Sequence, residues 1–153
     1  MDKLVTKEKL LTIKNNTSLA VINGSFYLLH PGHIHFINAA STLVDGSKIV
    51  VILLDDENIK RRKGTTRPIY KLDDRIMMLE AITGIDYILA WTQPWEDLRL
   101  YILELKPNYF IAGDDDPGLE SKRDFVERAG GKFIIVQKMG EHSVTGTIEK
   151  IKK

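Results

Sequence analysis

The chain has 153 residues, 43% hydrophobic and 28% charged, which predicts one soluble globular domain with one core. Its 22 basic and 21 acidic residues leave a net charge of +1, so no overall basic field favours a nucleic-acid partner. There is no cysteine, which excludes disulfides and a thiol nucleophile. The sequence shows neither a membrane-spanning segment nor a signal-peptide pattern, and we expect a cytoplasmic protein without a membrane partner.

The N-terminal segment carries leucines and an isoleucine among lysines, a pattern typical of an amphipathic helix. We therefore predict a helical extension over residues 1–17 that lies on the domain or on a partner subunit. The domain itself is expected to cover residues 18–153.

The apolar run Leu19–Ile22 predicts a buried strand, and a helical pattern starts just after His33. A strand-to-helix connection of ten residues joins them, with the sequence GSFYLLHPGH over residues 24–33. A helix N-terminus offers free N–H groups and partial positive charge, which suit a phosphate. Gly24 and Gly32 let the backbone approach a ligand closely, and the imidazoles of His30 and His33 can donate hydrogen bonds to phosphate oxygens.

Two other interpretations of these histidines stay open. They can be ordinary turn residues without a ligand, or, together with His35, ligands of a metal ion. The metal site is disfavoured because no cysteine and no suitably spaced carboxylate accompany the histidines, and we predict no metal held by the protein.

The β-branched run Lys48–Leu54 predicts a strand covered on both faces, as in parallel sheets. A basic segment over residues 58–69 follows the carboxyl end of this strand, where ligands bind in open α/β sheets. It holds Lys60, Arg61, Arg62, Lys63 and Arg67, which we interpret as a mobile clamp for phosphates. A solvated charge run is the alternative.

The remaining elements alternate regularly. Helices are predicted over residues 72–83, 94–106 and 120–129, and strands over residues 86–90, 109–112 and 132–136.

Arg75, early on the first of these helices, is a further phosphate candidate. An acidic loop from Gly113 to Gly118 contains Asp114, which either faces ligand hydroxyls or only forms a solvated turn. A last helix is expected from residue 141, where the hydroxyls of Ser143 and Thr145 either cap the helix or bind phosphate.

Alternating strands and helices with right-handed crossovers imply an α/β fold, a single Rossmann-like, doubly wound parallel sheet of five strands. The connection after the first strand should lie at the topological switch point, where the ligand crevice of such a sheet opens.

The quartet His30-Pro31-Gly32-His33, with Gly24 and Phe26 before it, resembles the HxGH signature of the nucleotidylyltransferase superfamily. The stretch KRRKG over residues 60–64, followed by Arg67-Pro68-Ile69 and Arg75, is similar to the cytidylyltransferase-like branch. Within that branch the chain looks most like the adenylyltransferase domain of bifunctional heptose-phosphate enzymes of lipopolysaccharide core synthesis. Glycerol-3-phosphate cytidylyltransferase is a near second, through the Gly113-Asp114-Asp115 loop.

This resemblance implies transfer of a nucleotidyl group from a nucleoside triphosphate, with ATP favoured, to a sugar or polyol phosphate such as heptose 1-phosphate, with release of pyrophosphate. Mg²⁺ is expected to arrive with the triphosphate, and a homodimer is expected, for which Trp91 and Trp95 could supply apolar contact. The implied roles divide the residues into three groups. Catalysis falls to His30, His33 and Lys60, nucleotide binding to Gly24, Ser25, Phe26, Gly32, Lys63, Arg75, Gly113, Asp114, Ser143 and Thr145, and acceptor binding to Arg61, Arg62 and Arg67.

Two alternatives remain at this stage. One is glycerol-3-phosphate cytidylyltransferase, which would use CTP. The other is a nucleotide-binding module whose chemistry has decayed, suggested by Tyr27 where the family usually has an acid and by Val144 where it usually has a hydroxyl.

Overall fold

The computed structural model describes residues 2–137 and 149–152. Its strands are β1 (Leu19–Gly24), β2 (Lys48–Leu54), β3 (Tyr87–Trp91), β4 (Tyr109–Gly113) and β5 (Lys132–Val136). Its helices are α1 (Lys7–Lys14), α2 (Pro31–Leu43), α3 (Asp56–Lys63), α4 (Leu72–Glu80), α5 (Leu98–Leu105) and α6 (Leu119–Arg128). A short 3-10 turn, Trp95–Asp97, leads into α5. No helix within the described ranges is both long enough and apolar enough to cross a lipid bilayer.

All five strands are parallel and lie in the order β3-β2-β1-β4-β5. The chain leaves β1 toward β2 on one side and later returns to place β4 on the other side. The topological switch point therefore lies between β1 and β4, as predicted, and the connection after β1 opens there.

Side chains alternate between the two faces of the sheet, and each face has its own core. Val21 of β1 and Val50 of β2 point to the face covered by α1 and α5. Ala20 and Ile22 of β1 point to the face covered by α2 and α4. This two-sided burial is why the central strands are almost continuously apolar rather than alternating.

The N-terminal segment belongs to the body of this domain. Residues around Leu4 pair with the edge strand β3, since the N–H of Val5 donates to the carbonyl of Ile88 at 2.9 Å. Leu10 of α1 has no exposed surface and packs in the core. Trp91, expected at a subunit contact, is only 2% exposed and packs inside its own chain, because it is the last residue of β3.

Residues 58–63 of the basic segment lie in a helix, α3, rather than in the predicted loop. Asp55 caps α3 by accepting the N–H of Asn58 at 2.9 Å, and Gly64 ends the helix at a φ of +99°. Acidic residues occupy the first turn and basic residues the last, which complements the helix dipole. Periodicity missed this helix because it buries only one apolar side chain, Ile59.

Candidate functional site

A crevice of about 320 Å³ opens at the carboxyl ends of β1 and β4. The connection after β1 and the start of α2 form one wall, and the loop after β4 forms another. Eight of the predicted site residues line it: Gly24, Ser25, Phe26, His30, Gly32, His33, Arg62 and Gly113. These residues are separated by up to 89 positions in the sequence and meet only because parallel strands end at the same edge of the sheet.

His30 and His33 cap α2 reciprocally. The Nδ1 atom of His30 accepts the N–H of Gly32 at 3.0 Å, and the Nδ1 atom of His33 accepts the N–H of His30 at 3.2 Å. The two rings stack with centroids 3.9 Å apart. In an ordinary capping box the N-cap residue is Ser or Thr and the third helical residue is Glu or Gln. Here His30 takes the first position and His33 the second.

This capping fixes the chemistry of both rings. A neutral imidazole whose Nδ1 atom accepts a hydrogen bond carries its proton on Nε2, so each ring retains an Nε2–H donor. Burial, and secondarily the neighbouring charge of His30, lower the pKa of His33 from 6.5 to about 4. His33 is therefore neutral at pH 7, and its Nε2–H can donate to an anionic oxygen.

The turn between β1 and the histidines is tightly packed around Phe26. A Cβ atom at Gly24 would lie 2.8 Å from the Phe26 ring, so only glycine leaves room for it. Phe26 adopts a φ of +46°, an unusual conformation for a residue with a side chain, and its ring centroid lies 5.0 Å from that of His33. The ring of Phe26 thereby packs against the ring of His33.

Arg75 lies beneath this turn instead of facing a phosphate. Its side chain has no exposed surface, and it donates to the carbonyls of Ser25 and Leu54, each at 2.7 Å. It also donates to Asp56 at 2.7 Å and to the carbonyl of Tyr70 at 3.0 Å. Burial lowers the pKa of Arg75, and Asp56 opposes that shift. Arg75 thus ties the turn after β1 to the end of β2.

The helical geometry of α3 separates the basic residues. Arg62 lines the crevice, with its guanidinium 5.0 Å from the centroid of the Trp95 ring. Arg61 is not among the crevice residues and pairs with Glu96, the neighbour of Trp95, at 3.1 Å. Lys60 is exposed and lies 3.6 Å from Glu57 on its own helix, and Lys63 is exposed at the helix end.

Arg67 contacts Tyr27, which stands where the resemblance described above leads us to expect an acid. Its guanidinium carbon lies 5.4 Å from the centroid of the Tyr27 ring, and its Nη1 atom donates to the Tyr27 hydroxyl. Because Tyr27 is only 3% exposed, this contact joins the segment after α3 to the interior of the turn.

The loop after β4 brings acidic side chains to the crevice. Asp115 and Asp116 line it, whereas Asp114 is exposed beside it, with its backbone N–H bonded to the carbonyl of Val136 at 3.0 Å. Gly113 lies close to this loop, since a Cβ atom there would lie 2.9 Å from a carboxylate oxygen of the exposed Asp115 side chain.

Lys122 is a crevice residue that sequence reasoning missed. It lies on α6, is 9% exposed, and donates to Asn23 at 3.1 Å and to Asp116. A signal was present in the sequence, because Lys122 stands four residues before the buried Val126 and so shares its helix face. A lysine on the buried face of a helix marks an unusual environment.

Ser143 and Thr145, predicted as nucleotide contacts, lie outside the described residues, as does the start of the predicted last helix. Within the described ranges, no cluster of three or more histidine, aspartate or glutamate side chains is arranged to hold a metal ion.

Residues 21–143 match the family described as cytidylyltransferase-like. The bifunctional protein HldE of Methylococcus capsulatus is 32% identical over 136 residues, which cover 88% of this chain and 28% of that protein. The bifunctional protein HldE of Helicobacter hepaticus is 30% identical, over 99% of this chain and 30% of that protein. The chain therefore spans less than a third of the length of these relatives.

Among solved structures, a lipopolysaccharide core biosynthesis protein from Thermoplasma volcanium superposes with a TM-score of 0.65 at 23% identity. The match covers 83% of this chain and all of that one. At this identity the likeness establishes a shared fold.

Proposed function

The chain belongs to the cytidylyltransferase-like family of nucleotidyltransferases, and from that membership and the crevice we propose that it transfers a nucleotidyl group to a sugar phosphate. ATP is the proposed donor, heptose 1-phosphate the proposed acceptor and pyrophosphate the second product. The choice of ATP and heptose phosphate rests on the resemblance to the adenylyltransferase domain of bifunctional heptose-phosphate enzymes and is supported by the HldE relatives.

The single observation that carries this proposal is the pair of stacked imidazoles at the mouth of α2. Their Nδ1 atoms accept backbone N–H groups, so the ring of His33 carries its proton on Nε2, where it can donate to a ligand. A neutral His33 can sit beside His30 without charge repulsion, and both rings lie where the N-terminal N–H groups of α2 already favour an anion.

In the proposed reaction, an anionic phosphate oxygen of the acceptor attacks the α-phosphorus of the nucleoside triphosphate. A new P–O bond forms, the bond between the α-phosphorus and the bridging oxygen breaks, and its electron pair leaves with pyrophosphate. The attacking oxygen already carries charge at neutral pH, so no general base is required. Catalysis then depends on positioning and on donors that stabilise charge on the α-phosphoryl group.

His30 and His33 are the proposed donors to that group, and Arg62 is the proposed cationic contact at the crevice. Lys60 and Lys63 are exposed on α3 and remain proposed contacts for the β- and γ-phosphates of the nucleoside triphosphate. Mg²⁺ enters as part of the substrate, coordinated by triphosphate oxygens, where it neutralises negative charge.

The proposal is tested by mixing ATP or CTP, with Mg²⁺, with heptose 1-phosphate or glycerol 3-phosphate and measuring pyrophosphate release. We expect the fastest release from ATP with heptose 1-phosphate. A variant lacking both imidazoles, His30→Ala with His33→Ala, controls for contaminating enzymes.

The other outcomes separate the alternatives. Fastest release from CTP with glycerol 3-phosphate would replace the proposed substrates with those of the cytidylyltransferase resemblance. A folded protein that binds ATP but releases no pyrophosphate with any pair would identify a nucleotide-binding module and refute the transferase proposal.

A further inference from the structure

The feature that the proposed reaction leaves unexplained is the charged bridge across one end of the crevice. Lys122 of α6 reaches Asn23, near the end of β1, and Asp116 in the loop after β4. Its side chain is 11% exposed and that of Asp116 is 18% exposed. All three residues line the crevice.

Packing alone does not require this lysine. One turn further along the same face of α6, Val126 fills the corresponding position and is completely buried in the apolar core. A buried ammonium loses hydration, and replacing a buried ion pair with apolar groups of similar volume is often neutral or stabilising. The charge at residue 122 is therefore better explained by a ligand than by stability.

The bridge offers both donors and acceptors to the crevice. The ammonium of Lys122 has three N–H groups, of which two are used by Asn23 and Asp116 within the described part of the chain. Asn23 accepts through its Oδ1 atom, which leaves its amide N–H groups for a ligand. Asp116 accepts from the N–H of Gly118 at 2.8 Å and from Lys122, and its oxygens have further lone pairs.

A ligand group suited to this bridge must both donate and accept hydrogen bonds. Neighbouring hydroxyls of a sugar do so, because each has one O–H donor and two lone pairs. A phosphate suits it poorly, since Asp115 and Asp116 bring two carboxylates to the same end of the crevice. The cationic and imidazole contacts proposed for the phosphates come instead from α2 and α3.

We propose that Asn23, Asp116 and Lys122 form a subsite for sugar hydroxyls, with Lys122 as its central donor. The inference rests on the proposed function, which supplies two sources of such hydroxyls, the ribose of the nucleotide and the sugar of the acceptor phosphate. The binding chemistry is the same for both, and the experiment distinguishes them.

The test is calorimetric titration of the intact protein and its Lys122→Met variant, so that no turnover is needed. One series uses Mg²⁺ with ATP, 2′-deoxyATP or 3′-deoxyATP. The other uses heptose 1-phosphate added to protein saturated with a nonhydrolysable ATP analogue. Methionine keeps the length of the side chain while removing its charge, and Lys132→Met, on an exposed residue of β5, is the matched control.

If ribose occupies the subsite, one of the deoxynucleotides binds the unmodified protein roughly 10-fold or more weakly than ATP, the effect of one hydrogen bond to a charged group. Lys122→Met then lowers the affinity for ATP by a similar factor and abolishes the discrimination. If the acceptor sugar occupies it, only the affinity for heptose 1-phosphate falls. The control should match the unmodified protein in both series.

Unchanged affinities in both series, with a folded Lys122→Met variant, would overturn the proposal. Should that variant unfold, Asp116→Asn removes the carboxylate while keeping its shape, and the same losses are expected from it. Pyrophosphate release is measured separately on the unmodified protein. Its absence would refute the transferase proposal and leave a measured ribose discrimination standing.

Discussion

Replacing His33 by glutamine separates the ionisation of this residue from its capping role. Glutamine at the third helical position can accept the N–H of the N-cap residue, as in an ordinary capping box, so the start of α2 is preserved. The variant has no imidazole to protonate. Any difference in pH dependence from the unmodified protein therefore reports on His33.

The expected magnitude follows from the lowered pKa of His33, about 4 in the folded protein against 6.5 in the unfolded chain. Because the unfolded chain binds the proton more readily, His33 makes the free energy of unfolding fall as the pH drops below about 6.5. The fall is complete below about pH 4 and reaches about 2 kcal/mol at pH 5. The Gln variant lacks this contribution.

Urea unfolding, followed by tryptophan fluorescence at pH 8 and pH 5, measures this difference. The stability gap between the unmodified protein and His33→Gln should change by about 2 kcal/mol between the two pH values. His35→Gln, on the same helix, is the matched control. A gap that stays constant would show that His33 is not a buried neutral imidazole and would remove its assignment as an Nε2–H donor.

Four further predictions test which of the site residues act on the ligand and which support the fold. His33→Ala should keep the fold and lower kcat for pyrophosphate release by about 100-fold, as for a lost transition-state donor, and an unchanged kcat would remove its catalytic role. Arg62→Ala should raise KM for the triphosphate more than Arg61→Ala does, since only Arg62 lines the crevice, and equal effects would contradict that sorting. Arg75→Met should lower the free energy of unfolding by roughly 3–5 kcal/mol, because it leaves buried carbonyls and a carboxylate without their donor, and a loss under 1 kcal/mol in a urea titration would disprove this role. Trp95→Leu should raise the same KM about 2- to 5-fold by removing the cation–π contact to Arg62, with kcat unchanged, whereas a lower kcat at the original KM would rule it out.

The strands and the position of the histidines could be predicted because their signals are local. β2 and β5 have the predicted bounds, since continuous apolar and β-branched runs are typical of strands buried on both faces. The histidines lie at the mouth of α2 as predicted, but the helix already begins at Pro31, so the connection is shorter than predicted and His33 belongs to the first turn of the helix. Helix α3 has equally local signals, since Asp55 caps its start and Gly64 follows its end. The run of basic residues between them nevertheless favours a loop when the sequence is considered alone.

The contacts of the charged residues needed the tertiary structure. Arg61 and Arg62 are adjacent in the sequence and contact neighbouring residues, Glu96 and Trp95, yet only Arg62 of the two also lines the crevice. In the sequence, Arg75 is an arginine close to the basic segment and therefore resembles a phosphate contact. In the structure it is buried, because three backbone carbonyls converge on its position.

The sequence by itself determined the parallel sheet, its switch point and the imidazole pair, because strand period, turn residues and helix caps act over a few neighbouring residues. Only the tertiary structure decided which cations reach the crevice and that Lys122 meets Asn23, 99 positions away. The spacing of Lys122 to Val126 places the lysine on the buried face of α6, but its partners depend on how the strand ends converge, which no local pattern in the chain encodes.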